Sequence, residues 1–397
     1  MIGTASLVCG LSELSMVRPF TLIIFILLSL QVVVSASADE KTLRVHFINP
    51  GYPESFWRSV DHFGEAVARD LGIELTSFWA AGNHLQMGDH AVDVGNSGSP
   101  PDYVVIVNEK QMAPRMLEAL AGAGIRVMLI MNLLTPKQEK EYGGPRDHRF
   151  PGWIGSLEPD NEAAGYDIAH ILLREAIRRF PKWHEPLSIL GMTGSRGTSA
   201  ATLREAGLRR AAAEAAGLRL EQVVHGYWTR EPAERQMMGL LRRHAATRLV
   251  WAANDPMAFG AMKAATALGK VPGEDILIGG LNWSGEALTE IRDGRMAVSV
   301  GGHFMTLGWA LVVIYDHFND RDFAISEGLE MSYEMSEITR ANVGSFLHHF
   351  ATRDWDQINF QSFSKKLNPQ QIRYEFGLQP ILGQLDEFVR QMDGKQE

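Results

Sequence analysis

Runs of consecutive apolar residues recur along this chain, and segments with helical spacing separate them. The first pair is a β-rich run from Leu43 to Pro50 and a segment from Ser55 to Gly72, whose apolar residues fall at positions 56, 60, 63 and 67. Strands that are covered on both faces lose the apolar–polar alternation of a half-exposed strand. The pattern therefore predicts parallel strands with helices covering both faces of the sheet.

This pattern repeats too many times for one small sheet. The later strand-like runs read DYVVIV, IRVMLIMN, LSILGMTG, RLVWAAN and ILIGGLN. We predict an α/β fold of two doubly wound parallel-sheet lobes joined by a hinge, with the chain changing lobe near residues 152–159. A TIM barrel is the competing fold, because alternation alone does not distinguish the two architectures.

Two parts of the chain depart from the alternation. Residues 81–101 are rich in Gly, Asn, Ser and Pro, and we interpret them as helix remnants and loop. Beyond Val343 aromatic residues are frequent but strand–helix alternation stops. We predict a C-terminal extension, residues 344–397, that packs over the core and ends in a helix near Leu385 to Met392.

A signal peptide is predicted at the N-terminus. The apolar run from Phe20 to Val34 is shorter than the roughly 20 residues that a membrane span needs, and Ala36-Ser37-Ala38 offers a small-x-small cleavage site after it. We expect residues 1–38 to be removed on export to the periplasm. The alternatives are an uncleaved anchor and, for the start of translation, Met16 in place of Met1.

Composition restricts the chemistry that is possible. Cys9, the single cysteine, precedes the apolar run, so the mature chain has no thiol for a disulfide, a metal site or a nucleophile. The net charge is −9 without a long basic run, which argues against a nucleic-acid partner. Because the H-E-x-x-H, G-x-S-x-G, Walker and G-x-G-x-x-G motifs are missing, we expect no catalytic residue, no metal and no cofactor.

Several segments resemble type I periplasmic binding proteins, the class of the ribose, galactose and autoinducer-2 receptors. Those segments read ESFWRSV, PDNEAAG, GTSAATLREAG, WAANDPMAFGAMKA, ILIGGLNWSGEAL and DGRMAVSV, and the resemblance covers roughly residues 43–343. It implies an N-terminal lobe of residues 43–155 plus about 303–328 and a C-terminal lobe of residues 156–302 plus about 329–343. Regulators of the Lac-repressor type share this core, but they carry an N-terminal helix-turn-helix where this chain has its apolar run.

The resemblance also implies a function. A monomeric receptor would close its two lobes over a small polar ligand, most simply a sugar, and deliver it to the permease of an ABC transporter. A membrane sensor is the alternative partner. An exported glycan-active enzyme on an α/β barrel is the alternative from a different class, but it needs two opposed carboxylates, and we recognise no second one besides Glu54 at a strand end.

Residues that follow the predicted strands are the first candidates for ligand contact, because parallel α/β lobes bind ligands at the carboxyl ends of their strands. Glu54, Phe56 and Trp57 follow the first strand. Aromatic faces suit the C–H faces of a sugar ring, and a carboxylate accepts hydrogen bonds from paired hydroxyls. Helical spacing requires one of the two aromatic residues to face the core. Asn132 follows IRVMLIMN, with the cap of a loop as its alternative role.

The second half of the chain supplies further candidates by the same rule. Trp228 follows a strand and would form an aromatic wall, and Trp283 would be a second stacking face. Asn254 ends RLVWAAN, and Asp255 follows it with a proline behind; we interpret Asp255 as the helix N-cap and Asn254 as the ligand contact. Asn282 follows ILIGG.

Two further residues are candidates through the resemblance. Arg204 stands after GTSAAT, where the family has a cleft arginine whose guanidinium forms a rigid donor fork; a solvated surface arginine is the alternative. His303 stands near a glutamine of the family at the third hinge crossing, and we expect a hydrogen-bonded hinge histidine there rather than a contact.

The same family differs from this chain at the polar positions of its ligand clamp. It has asparagine at Glu54 and aspartate at Asn282, and ribose-type receptors have an Asp-Arg pair at Met131-Asn132. The autoinducer-2 receptor has an arginine at about Gly302, which is missing here and argues against that ligand. The sequence therefore predicts a sugar-like ligand without naming it.

Overall fold

The computed structural model describes residues 41–53, 56–181, 186–350 and 354–393. Most of its strands fall where the apolar runs are. They are β1 (Arg44–Asn49), β2 (Glu74–Trp79), β3 (Tyr103–Val107), β4 (Arg126–Ile130), β5 (Trp153–Pro159), β6 (Leu187–Thr193), β7 (Leu218–His225), β8 (Leu249–Ala252), β9 (Leu277–Leu281), β10 (Val298–Gly301), β11 (Glu330–Tyr333) and β12 (Ser336–Thr339).

Helices separate nearly all of these strands. They are α1 (Phe56–Leu71), α2 (His84–Gly95), α3 (Ala113–Ala121), α4 (Pro136–Tyr142), α5 (Asn161–Arg179), α6 (Ser199–Glu214), α7 (Arg230–Arg243), α8 (Asp255–Ala267), α9 (Gly285–Arg292), α10 (Thr306–Phe318), α11 (Ala324–Glu327), α12 (Val343–Phe350) and α13 (Leu378–Asp393). None of the described helices is long and apolar enough to cross a membrane.

The strands form two open six-stranded sheets, which confirms the predicted doubly wound architecture and excludes the barrel. The order is β11-β5-β4-β3-β1-β2 in the first sheet and β12-β10-β9-β8-β6-β7 in the second. All pairings are parallel except that of β12 with β10. We call the first sheet with its helices lobe 1 and the second sheet with its helices lobe 2.

The chain passes between the lobes three times, after β5, after β10 and between β11 and β12. The last passage falls a few residues later than the boundary expected near residue 329. Glu330–Tyr333 pairs in parallel with Ser156–Pro159 of β5 and so belongs to the first sheet. The reason is that the buried residues Met331 and Tyr333 of this short strand complete the apolar edge of lobe 1.

Apolar spacing positions the helix that begins next to the first strand. In α1 the side chains of Val60, Phe63 and Val67 are buried, as the predicted spacing requires. Residues 81–101 differ from their interpretation as helix remnants and loop, since His84–Gly95 forms a three-turn helix. Asn83 is its N-cap and accepts a hydrogen bond from the backbone N–H of Leu85, which compensates for the weak helix propensity of the segment.

The C-terminal extension packs over the core, as predicted. Its turn Phe360–Phe363 contributes two buried aromatic side chains next to Phe63 and Trp309 of lobe 1. The buried carboxylate of Asp316 accepts hydrogen bonds from the backbone N–H of Lys365 (2.7 Å) and the hydroxyl of Tyr374 (2.8 Å). The terminal helix, α13, begins one and a half to two turns before the predicted Leu385, at Leu378.

Candidate functional site

A cleft of about 550 Å³ lies where the carboxyl ends of both sheets meet. Loops that follow β1, β3 and β4 line it from lobe 1, and loops that follow β7, β8 and β9 line it from lobe 2. This is the position that the strand-end rule assigns to a ligand site. The volume lies within the range of small-molecule pockets, which is roughly 300–1,000 Å³.

Eight of the ten predicted contact residues line this cleft. They are Phe56, Trp57, Asn132, Arg204, Trp228, Asn254, Asn282 and His303. Glu54 lies outside the described residues, so its predicted role stays a prediction. Trp283 is the tenth and lies elsewhere.

Two tryptophans contribute apolar surface to the cleft, one from each lobe. Trp57 lies against Gly51, where a Cβ atom would be 2.2 Å from the indole, and Trp228 lies against Gly194, where a Cβ atom would be 2.0 Å from the ring. Only glycine allows this close approach. Both Phe56 and Trp57 line the cleft, because the helix begins at its rim, and both also pack against the core. Helical spacing therefore does not separate a core-facing residue from a cleft-facing one at this position.

His303 lies at the second passage between the lobes, directly after β10, and not at the third as the resemblance implied. It is stacked on Phe56, with ring centroids 4.5 Å apart and an interplanar angle of 19°. Its Nδ1 is buried and has no hydrogen-bond partner among the described residues. The expectation of a hydrogen-bonded hinge histidine is therefore wrong for this nitrogen. Burial, and then the charge of Arg204, hold the pKa of His303 well below its usual value, so the ring is neutral.

Arg204 has 5% of its surface exposed, which excludes the alternative of a solvated arginine. Its Nε donates to Oδ1 of Asn161 (2.8 Å) and its Nη1 donates to the carbonyl of Ala253 (2.8 Å). The guanidinium lies 5.7 Å from the ring centroid of Trp228. Burial lowers the pKa of Arg204 to about 10, so the side chain remains cationic at neutral pH. Two bonds orient the fork, and its remaining N–H groups are left for a ligand.

Asn132 joins the lobes as well as lining the cleft. Its Oδ1 accepts a hydrogen bond from the backbone N–H of Ala200 at the start of α6 (3.3 Å). The hydroxyl of Ser199 donates to Glu158 at the end of β5 (2.6 Å) and accepts from the backbone N–H of Leu133 (3.1 Å). The oxygen of Asn132 is thus already used by lobe 2, which leaves its amide N–H groups for the predicted ligand contact.

Burial raises the pKa of Glu158 to about 7, against the opposing hydrogen bond from Ser199. A carboxyl group whose folded pKa exceeds its unfolded value stabilises the fold at low pH and loses that contribution as pH rises. We expect this stabilisation to be complete below about pH 4.5 and to disappear as pH rises through about 7. It amounts to at most about 3 kcal/mol.

The measurement is urea unfolding at pH 5 and pH 8 for wild type and Glu158→Gln. Wild type should lose more stability between the two pH values than Glu158→Gln does. Glu274→Gln, which removes an exposed carboxylate of lobe 2, is the control and should follow wild type. Equal losses in wild type and Glu158→Gln would show that Glu158 titrates normally.

The N-cap of α8 is Asn254 and not Asp255, so the interpretation of Asp255 as the cap is wrong. Asn254 is the N-cap of α8, since its Oδ1 accepts from the backbone N–H of Met257 (3.0 Å) and its backbone is extended. Asp255 is the first helical residue and is buried; it accepts hydrogen bonds from the backbone N–H of Ser284 (2.9 Å) and the hydroxyl of Ser299 (2.8 Å). Asn254 nevertheless lines the cleft, because a cap lies at the strand-end loop.

Trp283 is a core residue, so the prediction of a second stacking face is wrong. Only 1% of its surface is exposed, and its indole N–H donates to the carbonyls of Ser299 (3.1 Å) and Ser336 (3.2 Å). Its ring packs against Phe346 of the extension, 4.9 Å between centroids. The C-terminal extension covers this face of the Trp283 ring. The position of Trp283 after a strand does not indicate that the extension would cover it.

Glu109 is a cleft residue that the sequence reasoning missed. It lies two residues after β3 and lines the cleft from lobe 1. The statement that no second carboxylate falls at a strand end is therefore wrong. The signal was present, because the rule that selected Asn132 after β4 selects Asn108 and Glu109 after DYVVIV. Tyr52, which follows β1, also lines the cleft and was missed.

Backbone strain is concentrated in the cleft loops. Eight of the described non-glycine residues that follow strand ends at the cleft have positive φ: Ala81, Lys110, Gln111, Met131, Tyr227, Trp228, Asn282 and Trp283. Such conformations cost on the order of 1–3 kcal/mol each and are typical of ligand clamps. Across the described ranges, no three His, Cys, Asp or Glu side chains are close enough to hold a metal ion.

Comparison with protein families identifies one match. The model of the periplasmic binding protein domain matches residues 45–317. A curated relative is the HTH-type transcriptional regulator AglR from Rhizobium meliloti (strain 1021), which is 30% identical over 239 residues, 55% of this chain and 63% of the relative. The chain thus matches less than two thirds of the length of that regulator.

Solved structures share the two-sheet architecture. A periplasmic sugar-binding protein from Pseudomonas fluorescens is similar with a TM-score of 0.75 and 36% identity, over 85% of this chain and 99% of the other. The periplasmic binding protein component of the arabinose ABC transporter from Shewanella sp. ANA-3, bound to α- and β-L-arabinofuranose, has a TM-score of 0.64 and 20% identity, over 77% and 94% of the two chains. At the lower identity the similarity concerns the fold alone.

Proposed function

Because the chain belongs to the family of periplasmic binding protein domains, we propose that it captures a sugar or a sugar-like molecule in the cleft between its lobes. The family consists of binding proteins and not of enzymes, so the glycan-active enzyme is not proposed. The similar protein from Pseudomonas fluorescens is a periplasmic sugar-binding protein, and the structural similarity covers 99% of its chain.

The observation that carries this proposal is the combination of aromatic walls and polar groups in one cleft. Trp57 and Trp228 offer flat apolar faces from opposite lobes, and Arg204 offers oriented N–H donors beside one of them. A sugar ring has apolar C–H faces and hydroxyls around its edge, so it matches both kinds of surface. A flat apolar ligand would leave the remaining N–H groups of Arg204 without partners, at a cost of about 1–3 kcal/mol.

Contacts from both lobes also explain how a ligand would change the arrangement of the two lobes. A ligand that touches lobe 1 and lobe 2 together favours the closed arrangement by its greater affinity for that arrangement. We propose that the closed form works in the periplasm and delivers its ligand to the permease of an ABC transporter. Loss of uptake of the bound sugar in cells that lack this chain is the expected result.

Trp228→Ala tests the aromatic wall. A panel of pentoses, hexoses, nucleosides and amino acids is screened for a rise in the melting temperature of the wild-type protein. A sugar at about 100 times its Kd should add roughly 2.7 kcal/mol of stability. Loss of ring stacking and of apolar contact should weaken the binding of that sugar about 10–100-fold, measured by titration calorimetry.

Tyr227→Ala is the matched control for this variant. Tyr227 is the preceding residue, also has a positive φ, and is exposed without lining the cleft. The affinity of Tyr227→Ala for the sugar should equal that of wild type. If Trp228→Ala bound as tightly as Tyr227→Ala, Trp228 would not form the ligand wall; if no sugar raised the melting temperature, the sugar proposal itself would fail.

A further inference from the structure

One carboxylate that lines the cleft has no partner among the described residues. Glu109 lines the cleft and is partly buried, and it makes no hydrogen bond or ion pair with any described residue. Burial raises the pKa of Glu109, and the adjacent charge of Lys110 opposes this change. Lys110 itself is exposed. An acceptor that is held away from water costs free energy until a donor reaches it.

The loop that carries Glu109 is held rigidly by side chains on both sides of it. Asn108 donates to the carbonyl of Leu133 and to Oε1 of Gln138, both at 2.9 Å, and accepts from the backbone N–H of Ala113 at 2.9 Å. Gln138 in turn donates to the carbonyl of Gln111 (2.9 Å). These bonds fix both ends of the short turn Glu109–Gln111 and leave the carboxylate itself unused.

The turn also contains strained backbone. Lys110 has φ 47° and Gln111 has φ 64°, which is the left-handed region that residues with a side chain rarely adopt. Two such residues in succession persist only where the surrounding structure holds them. The bonds of Asn108 and Gln138 supply that support, so the position of Glu109 is fixed before any ligand arrives.

Two amide oxygens in the cleft are already used by the protein. Glu109 is the only acidic residue among the described residues that line the cleft. Oδ1 of Asn132 accepts from Ala200, and Oδ1 of Asn254 accepts from Met257. A ligand that brings hydrogen-bond donors therefore finds its charged acceptor at Glu109.

The charges of the described lining residues balance. Arg204 is the single cation and Glu109 the single acid among them. A ligand that carries a single charge would pair with one of these two residues and leave the charge of the other uncompensated. A neutral ligand with both donors and acceptors keeps this balance, and paired hydroxyls on one ring have both.

We propose that Glu109 is a specificity-determining residue that accepts hydrogen bonds from two adjacent hydroxyls of a neutral sugar, while Arg204 donates to oxygens on the same ring. This rests on the proposed sugar-binding function and adds the class of sugar: an uncharged ring with a vicinal hydroxyl pair. A carboxylate has two oxygens and no proton to donate, which is the complement of two hydroxyl donors.

The test uses the full chain, titration calorimetry and melting curves, with D-galactose, D-allose, L-arabinose and D-tagatose as neutral probes and D-galacturonate and D-galactosamine as charged ones. At least one neutral sugar should bind wild type. Glu109→Gln should bind that sugar at least tenfold more weakly, and Glu274→Gln, the exposed control, should bind it as wild type does. Without sugar, Glu109→Gln should melt at or above the wild-type temperature at pH 8, because it removes an unpaired carboxylate.

Each other outcome overturns the proposal in a recognisable way. Equal binding of a neutral sugar by wild type and Glu109→Gln would remove Glu109 from the site and leave the sugar-binding function standing. A lower melting temperature of sugar-free Glu109→Gln would show a structural role. Tighter binding of galacturonate or galactosamine than of galactose would overturn the neutral class. Failure of all four neutral sugars to bind wild type would remove the proposed function as well.

Discussion

Arg204→Ala should abolish measurable binding of the sugar that stabilises wild type most, with at least a 100-fold loss of affinity. Arg204 is the only cation among the described cleft residues, and two bonds already hold its guanidinium in place. Hydrogen bonds from a charged donor contribute about 1.5–3 kcal/mol each, and a tenfold change in affinity corresponds to about 1.4 kcal/mol. Loss of two such bonds to the ligand is therefore enough for a 100-fold loss of affinity. Calorimetric titration measures this loss.

The same substitution should lower stability moderately. Asn161 loses the donor to its Oδ1, while its Nδ2 already has no partner among the described residues, and the carbonyl of Ala253 loses its donor as well. We expect a loss of about 1–3 kcal/mol in the free energy of unfolding, so the variant should still fold. Urea unfolding and the circular dichroism spectrum verify this before any binding result is interpreted.

Two variants are the controls for Arg204→Ala. Arg209→Ala removes an exposed arginine of the same helix, paired with Glu205, and should bind as wild type does. Arg204→Lys keeps the charge but loses the planar fork, so it should recover only part of the affinity. Wild-type affinity in folded Arg204→Ala would contradict the assignment of the cleft as the ligand site.

Trp283→Ala should cost more stability than any other substitution considered for this chain. The side chain is buried, packs against Phe346, and donates to the carbonyls of Ser299 and Ser336. Removal of a buried tryptophan costs about 3–5 kcal/mol, and the two hydrogen bonds of the indole N–H are lost as well. The free energy of unfolding from urea titration is the measurement, and the variant should melt many degrees below wild type.

Trp283→Phe separates packing from hydrogen bonding. It keeps most of the apolar volume and loses only the indole N–H, so it should cost less than Trp283→Ala. Trp228→Ala is the comparison at the cleft, where the side chain is only partly buried, and should lose affinity more than stability. If Trp283→Ala instead lost sugar binding with stability unchanged, Trp283 would be the stacking face that its strand-end position suggested.

Much of the fold could be predicted from the sequence, because buried parallel strands consist of uninterrupted apolar runs. YVVIV at β3 and LSILGMT at β6 are buried along their whole length and were recognised as strands. The segment His84–Gly95 was not recognised as a helix, since its polar residues and glycines have weak helix propensity. Its cap, Asn83, depends on side-chain geometry that composition does not indicate.

The candidate site was predicted to the extent that it follows strand ends. Trp228, Asn254 and Asn282 were selected by that rule and line the cleft. Glu109 also follows a strand end, so the same rule predicts it as a cleft residue. Trp283 satisfies the rule and is nevertheless buried, because its side chain turns away beneath the C-terminal extension.

The alternation of strands and helices, and the strand ends at which a ligand site would lie, follow from the order of residues, because both are local properties. The choice of two open sheets over a barrel follows from the strand pairing of the folded chain. Which side chains at those strand ends lack a partner depends on the tertiary structure. The oxygen of Asn132 is used by the start of α6, that of Asn254 caps its own helix, and Glu109 has no partner among the described residues. The physical reason is that hydrogen-bond satisfaction depends on partners brought from distant parts of the chain.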